Sequence, residues 1–313
     1  MKLTFRLACK LLGSVACAAP FIVATPNAMA WGDEGHMIVG LIADHYLTPG
    51  VRDQVNTMLA GDNSGLTNTD IASEATWADK YRNAHRETAS WHFVDTEIRD
   101  GDIDAACFGH PTLPAGTPAS AGAAQDCVVD KVDQFSKELQ DANTDPAERL
   151  MALQFLLHFV GDMHQPLHSS DDNDRGGNND KVSGTGLPKS ANLHGDWDTA
   201  FVQKLGTSQD QVASNLIAKI TDAQIAEWQQ QTPRDWSLQA FELAKSDVYG
   251  KLPAPDSTGK YHLSASYISN ASKVAALQLS RAGVRLAKIL NDALGGNAPA
   301  DSSIFVSPFA KRK

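Results

Sequence analysis

The sequence predicts an all-α fold, a single, mainly helical domain. Three observations predict it. Apolar residues recur at helical spacing in segment after segment beyond residue 31. One stretch, Leu150 to Met163, is apolar nearly all round, as a central buried helix requires. No stretch alternates convincingly in the manner of a half-buried strand.

The chain has 313 residues, and residues 1–30 read as a secretory signal. Lys2, Arg6 and Lys10 make the positive start, Leu11 to Val23 the apolar middle, and Ala28-Met29-Ala30 a small-x-small cleavage site ending before Trp31. A membrane anchor is the weaker reading. The apolar run is broken by Gly13, Ser14 and Pro20 and falls short of the roughly 20 residues a span needs. Cleavage leaves 283 residues, enough for one large domain, 31–295, with a short mixed tail, 296–313, that carries no assignable function. The expected destination is outside the cytoplasm, periplasmic or extracellular, with no stable membrane association and no protein partner implied.

The elements follow in order. Glu34 to Leu47 carries Met37, Ile38, Leu41, Ile42 and Tyr46 at helical spacing, and Pro49-Gly50 should end it. Val51 to Leu59 is a second helix, and Asp70 to Arg86, with Ile71, Ala75, Ala78 and Tyr81 on one face, a third. Trp91 to Asp95 reads as a short extended piece, and 101–126 as a long Gly/Ala/Pro-rich loop. Asp145 is a good N-cap, and Pro146 fits the first position of the helix that runs through Leu150–Met163 and stops at Pro166. Residues 169–190 form a polar, Gly-rich loop. Asn192 can cap a helix through Lys204. Later helices run from Ser208 to Gln230, Arg234 to Val248 and Ser266 to Leu294.

Cys9 and Cys17 leave with the signal, so Cys107 and Cys127 remain. Two cysteines in an oxidising compartment suggest one disulfide closing the Gly/Pro/Ala-rich loop. The formal charge is −10, or −13 without the signal. That argues against a generic nucleic-acid binder with a broad basic face. It leaves room for an enzyme that holds phosphate through metal ions, which would be the largest local charges.

Ligand-type residues recur in apolar surroundings. His158 and Asp162 stand at i and i+4 on the central helix and share one face. His194 and Asp198 repeat the arrangement. His168 lies just past Pro166, Asp79 in Trp77-Ala78-Asp79, and His92 in Trp91-His92-Phe93. Trp31 and His36 complete the set. Taken singly, each is more often a hydrogen-bonded core residue. Two His/Asp pairs at helical spacing bring the metal reading level, and mixed nitrogen and carboxylate donors suit zinc.

These residues resemble a family, the trinuclear-zinc single-strand nucleases of fungi and plants of the S1/P1 type, which share a fold with zinc-dependent phospholipase C. The motifs are Trp31-Gly32 followed by His36, Trp77-Ala78-Asp79 running to Arg82, and Trp91-His92-Phe93-Val94-Asp95. Then come His158-Phe159-Val160-Gly161-Asp162 through Gln165-Pro166-Leu167-His168, Gly176-Gly177-Asn178, and Asn192-Leu193-His194 through Trp197-Asp198. The resemblance spans Trp31 to about Leu294.

The resemblance implies three zinc ions. Asp79, His92, His158 and Asp162 would hold one. The amino group and carbonyl of Trp31, with His36 and a bridging Asp162, would hold the second, and His168, His194 and Asp198 the third. A free α-amino group suits the task because its pKa is only about 7.7–8.0; an amide in the uncleaved chain would not. His164 should point elsewhere, and His45, His85, His110 and His262 read as surface or hydrogen-bonded residues.

The implied reaction is hydrolysis of single-stranded DNA and RNA to 5′-phosphate products, with 3′-nucleotides as further substrates. Zinc ions suit it by acidifying water and neutralising phosphate charge. Arg82 matches a phosphate-contacting position, with an ion pair to Asp79 as the plainer alternative. Phe93 either stacks on an unpaired base or fills the core. Asp95 orients water, binds a base edge or is structural. Gly177 and Asn178 border a nucleoside pocket or belong to a plain loop. Two rivals remain. A phospholipase C would carry Glu at the position of Asp198. A non-catalytic zinc protein would use closed sites, whereas the third set has three protein ligands and an open position.

Overall fold

The computed structural model describes residues 31–296; the expected signal segment and all but the first residue of the tail lie outside the described residues. The fold is built around α7, Pro146–Asp162. Asp145 caps it, accepting from the Ala147 N–H at 2.8 Å, and Pro146 takes the first turn, where no N–H is needed. Every residue from Ala152 to Asp162 is buried. A helix with no solvent face has to be enclosed by others, and three do most of that work.

The first is α1, Asp33–Tyr46. The second is α6, Val128–Gln140, which lays Phe135 flat on Phe155 of α7 at 4.7 Å between ring centroids. The third is α13, Ala265–Leu294, about 45 Å long at the helical rise. It runs along α1, α6 and α7.

α6 has no counterpart among the expected elements. Its signal is in the sequence all the same: Val128, Val132, Phe135 and Leu139 recur at helical spacing, and all are buried.

Other boundaries depart from expectation for local reasons. Pro49 opens α2, Pro49–Leu59, as its first-turn proline rather than closing α1. The helix expected over 70–86 breaks into α3, Ile71–Glu74, and α4, Trp77–Arg82. At the break the Ala75 carbonyl faces His158. The Trp91–Asp95 piece begins as a 3-10 turn, Arg86–His92, and becomes extended only at Phe93. The 101–126 loop holds a short α5, Ile103–Ala106, and the Cys107–Cys127 disulfide is formed, with Cα atoms 5.0 Å apart.

Asn192 caps as expected, accepting from the Gly195 N–H at 2.7 Å. The helical run it starts comprises α8, Leu193–Gly195, a π turn over Asp196–Ala200, and α9, Phe201–Gln203. The stretch 208–230 divides into α10, Gln209–Ile217, and α11, Asp222–Trp228, because Thr221 opens a new capping box with Gln224. Then α12, Pro233–Leu243, passes into a π turn over Ala244–Val248. Two parallel two-residue strands, Val182–Ser183 and Tyr261–His262, are a minor feature of the described residues that the sequence pattern did not announce. Among those residues no helix is long and apolar enough to cross a membrane.

Candidate metal centre

The C-terminal end of α7 carries the centre. His158 and Asp162, one turn apart on a buried helix, both face inward, with His158 Nε2 3.3 Å from Asp162 Oδ2. α1 brings His36 Nε2 to 3.2 Å from Asp162 Oδ1. The 3-10 turn ending at His92 brings that residue's Nδ1 to 2.9 Å from Asp162 Oδ2. Asp79, from α4, closes the group, its Oδ1 3.7 Å from His158 Nε2 and 3.8 Å from His92 Nδ1. The α1–α7 approach depends on Gly161, where a Cβ would lie 2.8 Å from His36 Nδ1.

A second gathering stands beside the first. His168 Nε2 lies 3.1 Å from His194 Nε2, and His194 Nε2 lies 3.4 Å from Asp198 Oδ2. The two are physically linked, because His168 Nδ1 donates to the His92 carbonyl at 2.9 Å. Trp31-Gly32 adjoins the second: the Gly32 N–H donates to the Asp198 carbonyl at 2.8 Å, and Trp31 is fully buried.

Three sets of side chains therefore offer donor atoms within 4.8 Å of one another: His36, His158 and Asp162; Asp79, His92 and His158; and His168, His194 and Asp198. All are buried. The remaining nitrogen is fixed on three of the histidines. His158 Nδ1 donates to Ala75 O at 2.8 Å, His168 Nδ1 to His92 O, and His194 Nδ1 to Gly176 O at 2.6 Å, so each turns Nε2 inward. Gln165 Nε2 donates to Asp198 Oδ1 at 2.6 Å and fixes that carboxylate in the same way. Such outer partners are what metal-ligating side chains require.

The inward atoms test whether the donors fit a metal. His158 Nε2, Asp162 Oδ1, Asp79 Oδ2 and both nitrogens of His36 are buried with no hydrogen-bond partner. Orphaned polar atoms at this density are costly. A cation satisfies them together, and the donor set fits one.

The electrostatics agree. Burial alone would raise Asp162, but His158, His36 and His92 outweigh it and hold the carboxyl well below the usual range. Burial, then repulsion from Asp79 and Asp162, pushes Asp198 well above it. Burial lowers His92 to about 4 and His194 to about 3, the latter helped by His168. Neutral imidazoles are the form that binds metal, whereas at His158 burial is outweighed by Asp162 and Asp79, which raise the pKa.

Comparison with known proteins settles the class. Residues 31–295 match the family described as S1/P1 Nuclease. The chain belongs to the S1/P1 nuclease family. Among similar proteins are nuclease PA3 of Penicillium sp and nuclease P1 of Penicillium citrinum, each 29% identical over 289 residues, covering 85% of this chain and 98% of theirs. Endonuclease 2 of Arabidopsis thaliana is 27% identical over 291 residues, covering 88% of this chain and 94% of its own. The chain is thus a phosphodiester-hydrolysing nuclease, and its family and donor sets imply a metal cofactor.

The other residues singled out in the nuclease's sequence fall around this centre. Arg82 is buried and pairs with Asp79 Oδ1 at 2.8 Å. Phe93 is half-buried, with no ring contact among the described residues, so it is not a core aromatic like its neighbours. Asp95 is exposed, yet partial desolvation and the carboxylates of Asp171, Glu97 and Asp174 push it up to about 7.

Gly177 packs against Leu167 and the His194 backbone, and Asn178 Nδ2 donates to the Arg175 carbonyl at 2.9 Å. At Gly176, whose φ is +59°, a Cβ would lie 2.6 Å from Leu167 O. His164 points away, donating to Val160 O at 2.6 Å and accepting from Arg285 Nη1 at 2.7 Å. Gln165 went unremarked as a site residue, although its place between Asp162 and His168 was a signal.

Proposed function

We propose that the chain is a zinc-dependent endonuclease that hydrolyses phosphodiester bonds of single-stranded DNA and RNA to 5′-phosphate products, and that it also acts on 3′-nucleotides. The observation that supports it most is the convergence of eight buried His and Asp side chains from separate parts of the chain. Mixed imidazole and carboxylate donors favour zinc. On this reading Asp79, His92, His158 and Asp162 would hold one ion. Trp31 (amino group and carbonyl), His36 and a shared Asp162 would hold a second, and His168, His194 and Asp198 would hold the third. When bound, zinc supplies Lewis acidity toward phosphate oxygens and a source of hydroxide near neutral pH.

The chain's own residues divide the remaining work. Arg82, steadied by Asp79, directs its guanidinium charge at a phosphate. Asp95, titrating near neutrality, holds or moves a proton beside the centre, at the attacking water or at a base edge. Phe93 offers a ring face, which only an unpaired base can use. Gly177 and Asn178 wall the nucleoside pocket. The three protein ligands of the third set leave the open position that catalysis needs and a closed structural site lacks.

Export follows from the same reading: removal of residues 1–30 frees the Trp31 nitrogen, so the enzyme acts in the periplasm or outside the cell. Assay of protein beginning at Trp31 tests the proposal, using single-stranded DNA, RNA, a 3′-mononucleotide and phosphatidylcholine. The first three should turn over, and a chelator should stop them. Cleavage of phosphatidylcholine without turnover of DNA would instead identify a phospholipase C, and bound zinc without any turnover a zinc-binding protein.

A further inference from the structure

The loop 171–178, Asp-Asp-Asn-Asp-Arg-Gly-Gly-Asn, borders the His168, His194 and Asp198 group. By composition it is a flexible polar stretch, but its hydrogen bonds fix it. Asp171 Oδ1 accepts from the N–H groups of Asp174 and Gly176, each at 3.0 Å. Asp174 Oδ1 accepts from the Gly177 N–H at 2.7 Å and from the Tyr249 hydroxyl at 3.0 Å. His194, donating to Gly176 O, ties the loop to the centre.

Within this frame Arg175 is held at φ +61°, followed by Gly176 at +59° and Gly177 at +80°. Glycine adopts that region freely, whereas for arginine it is strained. Strain retained in a well-braced loop calls for a function of the side chain, because glycine or asparagine would suit the backbone better.

The side chain itself is available. Arg175 is exposed, and its guanidinium makes no hydrogen bond or ion pair among the described residues. Its charge reaches Asp95, partly offsetting Asp171, Glu97 and Asp174. Carboxylates dominate this side of the centre, in a chain of strongly negative charge. A polyanion approaching such a rim is repelled unless a cation receives it.

The geometry points to Arg175 as an anchor for a nucleic-acid strand, contacting a phosphate other than the one at the metal centre and so favouring polynucleotides over substrates with a single phosphate. This rests on the nuclease reading above. The competing account is that Arg175 only balances the loop's carboxylates, in which case its removal affects all substrates alike.

Arg175→Gly and Arg175→Lys, made in zinc-loaded protein beginning at Trp31, separate the two. The glycine variant relieves the strain, so its Tm should equal or exceed that of the wild type, and misfolding does not confuse the result. With a single-stranded oligodeoxynucleotide its KM should rise about fivefold, as for loss of one exposed ion pair, while kcat holds. The slope of log kcat/KM against log salt should become shallower by about 0.7. The ratio of kcat/KM on the oligonucleotide to that on bis(4-nitrophenyl) phosphate should fall by the same factor as KM rises, and Arg175→Lys should restore the salt slope. A glycine variant with wild-type KM and salt slope overturns the anchor. So does an equal loss on both substrates, which would mean that Arg175 acts on the centre itself. Absence of oligonucleotide turnover by the wild type overturns the nuclease reading and the anchor with it.

Discussion

Asp162 meets more of the centre than any other side chain. Its Oδ1 faces His36, and its Oδ2 faces both His92 and His158. A carboxylate whose two oxygens face different histidines could serve two cations. Asp162→Asn should therefore lower kcat/KM on single-stranded DNA by more than about a hundredfold, beyond what loss of an outer partner costs. Substantial residual turnover would argue against the bridge. Gln165 makes a graded comparison. It orients Asp198 without being a ligand-type residue, so Gln165→Leu should weaken metal binding or activity by about 10–100-fold. A zinc titration showing wild-type affinity would remove it from the centre.

Residues of this kind mark what the sequence reveals at single-residue scale. His and Asp were legible because paired ligand-type residues stand out on an apolar helix. The carbonyls of Ala75, His92 and Gly176 were not, because any residue carries a carbonyl and only the fold aims it.

Among the elements, the loop closed by Cys107 and Cys127 invites the plainest stability test. The bridge encloses a sequence separation of 20 residues, for which loop-closure entropy gives about 3 kcal/mol. Replacing both cysteines by serine should lower the unfolding free energy by that order in urea titration; an unchanged midpoint would show that the non-covalent contacts suffice.

The same loop has an ionic clasp. His110 lies between Asp104, at 3.1 Å, and Asp130, at 2.9 Å, and Arg234 of α12 also reaches Asp104. Hydrogen bonds that His110 donates to Asp104 and then to Asp130 raise its pKa above the ordinary value. A raised histidine stabilises the fold fully below the unfolded value of about 6.5, and the increment disappears as pH rises through the folded value. His110→Gln should accordingly cost Tm at pH 5.5 and little at pH 8.5, an assay pair chosen from that direction. A Tm loss equal at both values would show that the clasp acts through packing.

Helix positions were read well where a cap or proline announced them, as at Asp145 and Asn192. They were misread where the break came from tertiary demand. His158 draws on the Ala75 carbonyl where the 70–86 pattern is interrupted, and no periodicity records that. The π turn at Asp196–Ala200 is equally silent in the sequence, although such turns often lie at functional sites.

At the scale of the whole molecule, the all-helical domain was predictable because α7 has no polar face to give to solvent. Enclosing it brings α1, α6 and α13 together, and that enclosure seats the donors of α1, α4 and α7 against one another. The Trp31 end meets the second gathering through the Gly32 bond to Asp198, with its indole buried. On the proposed ligand set, processing would be part of the chemistry: with residues 1–30 attached, the Trp31 nitrogen would be an amide and the centre would lack that ligand. On this account the precursor is inactive toward cytoplasmic nucleic acid.

The most direct measurement is zinc per chain by native mass spectrometry, together with single-strand turnover, for protein beginning at Trp31 and for the same protein with one alanine added ahead of it. The account predicts three zinc ions and activity for the first, two zinc ions and little activity for the second. Three zinc ions and full turnover in the extended protein would contradict it.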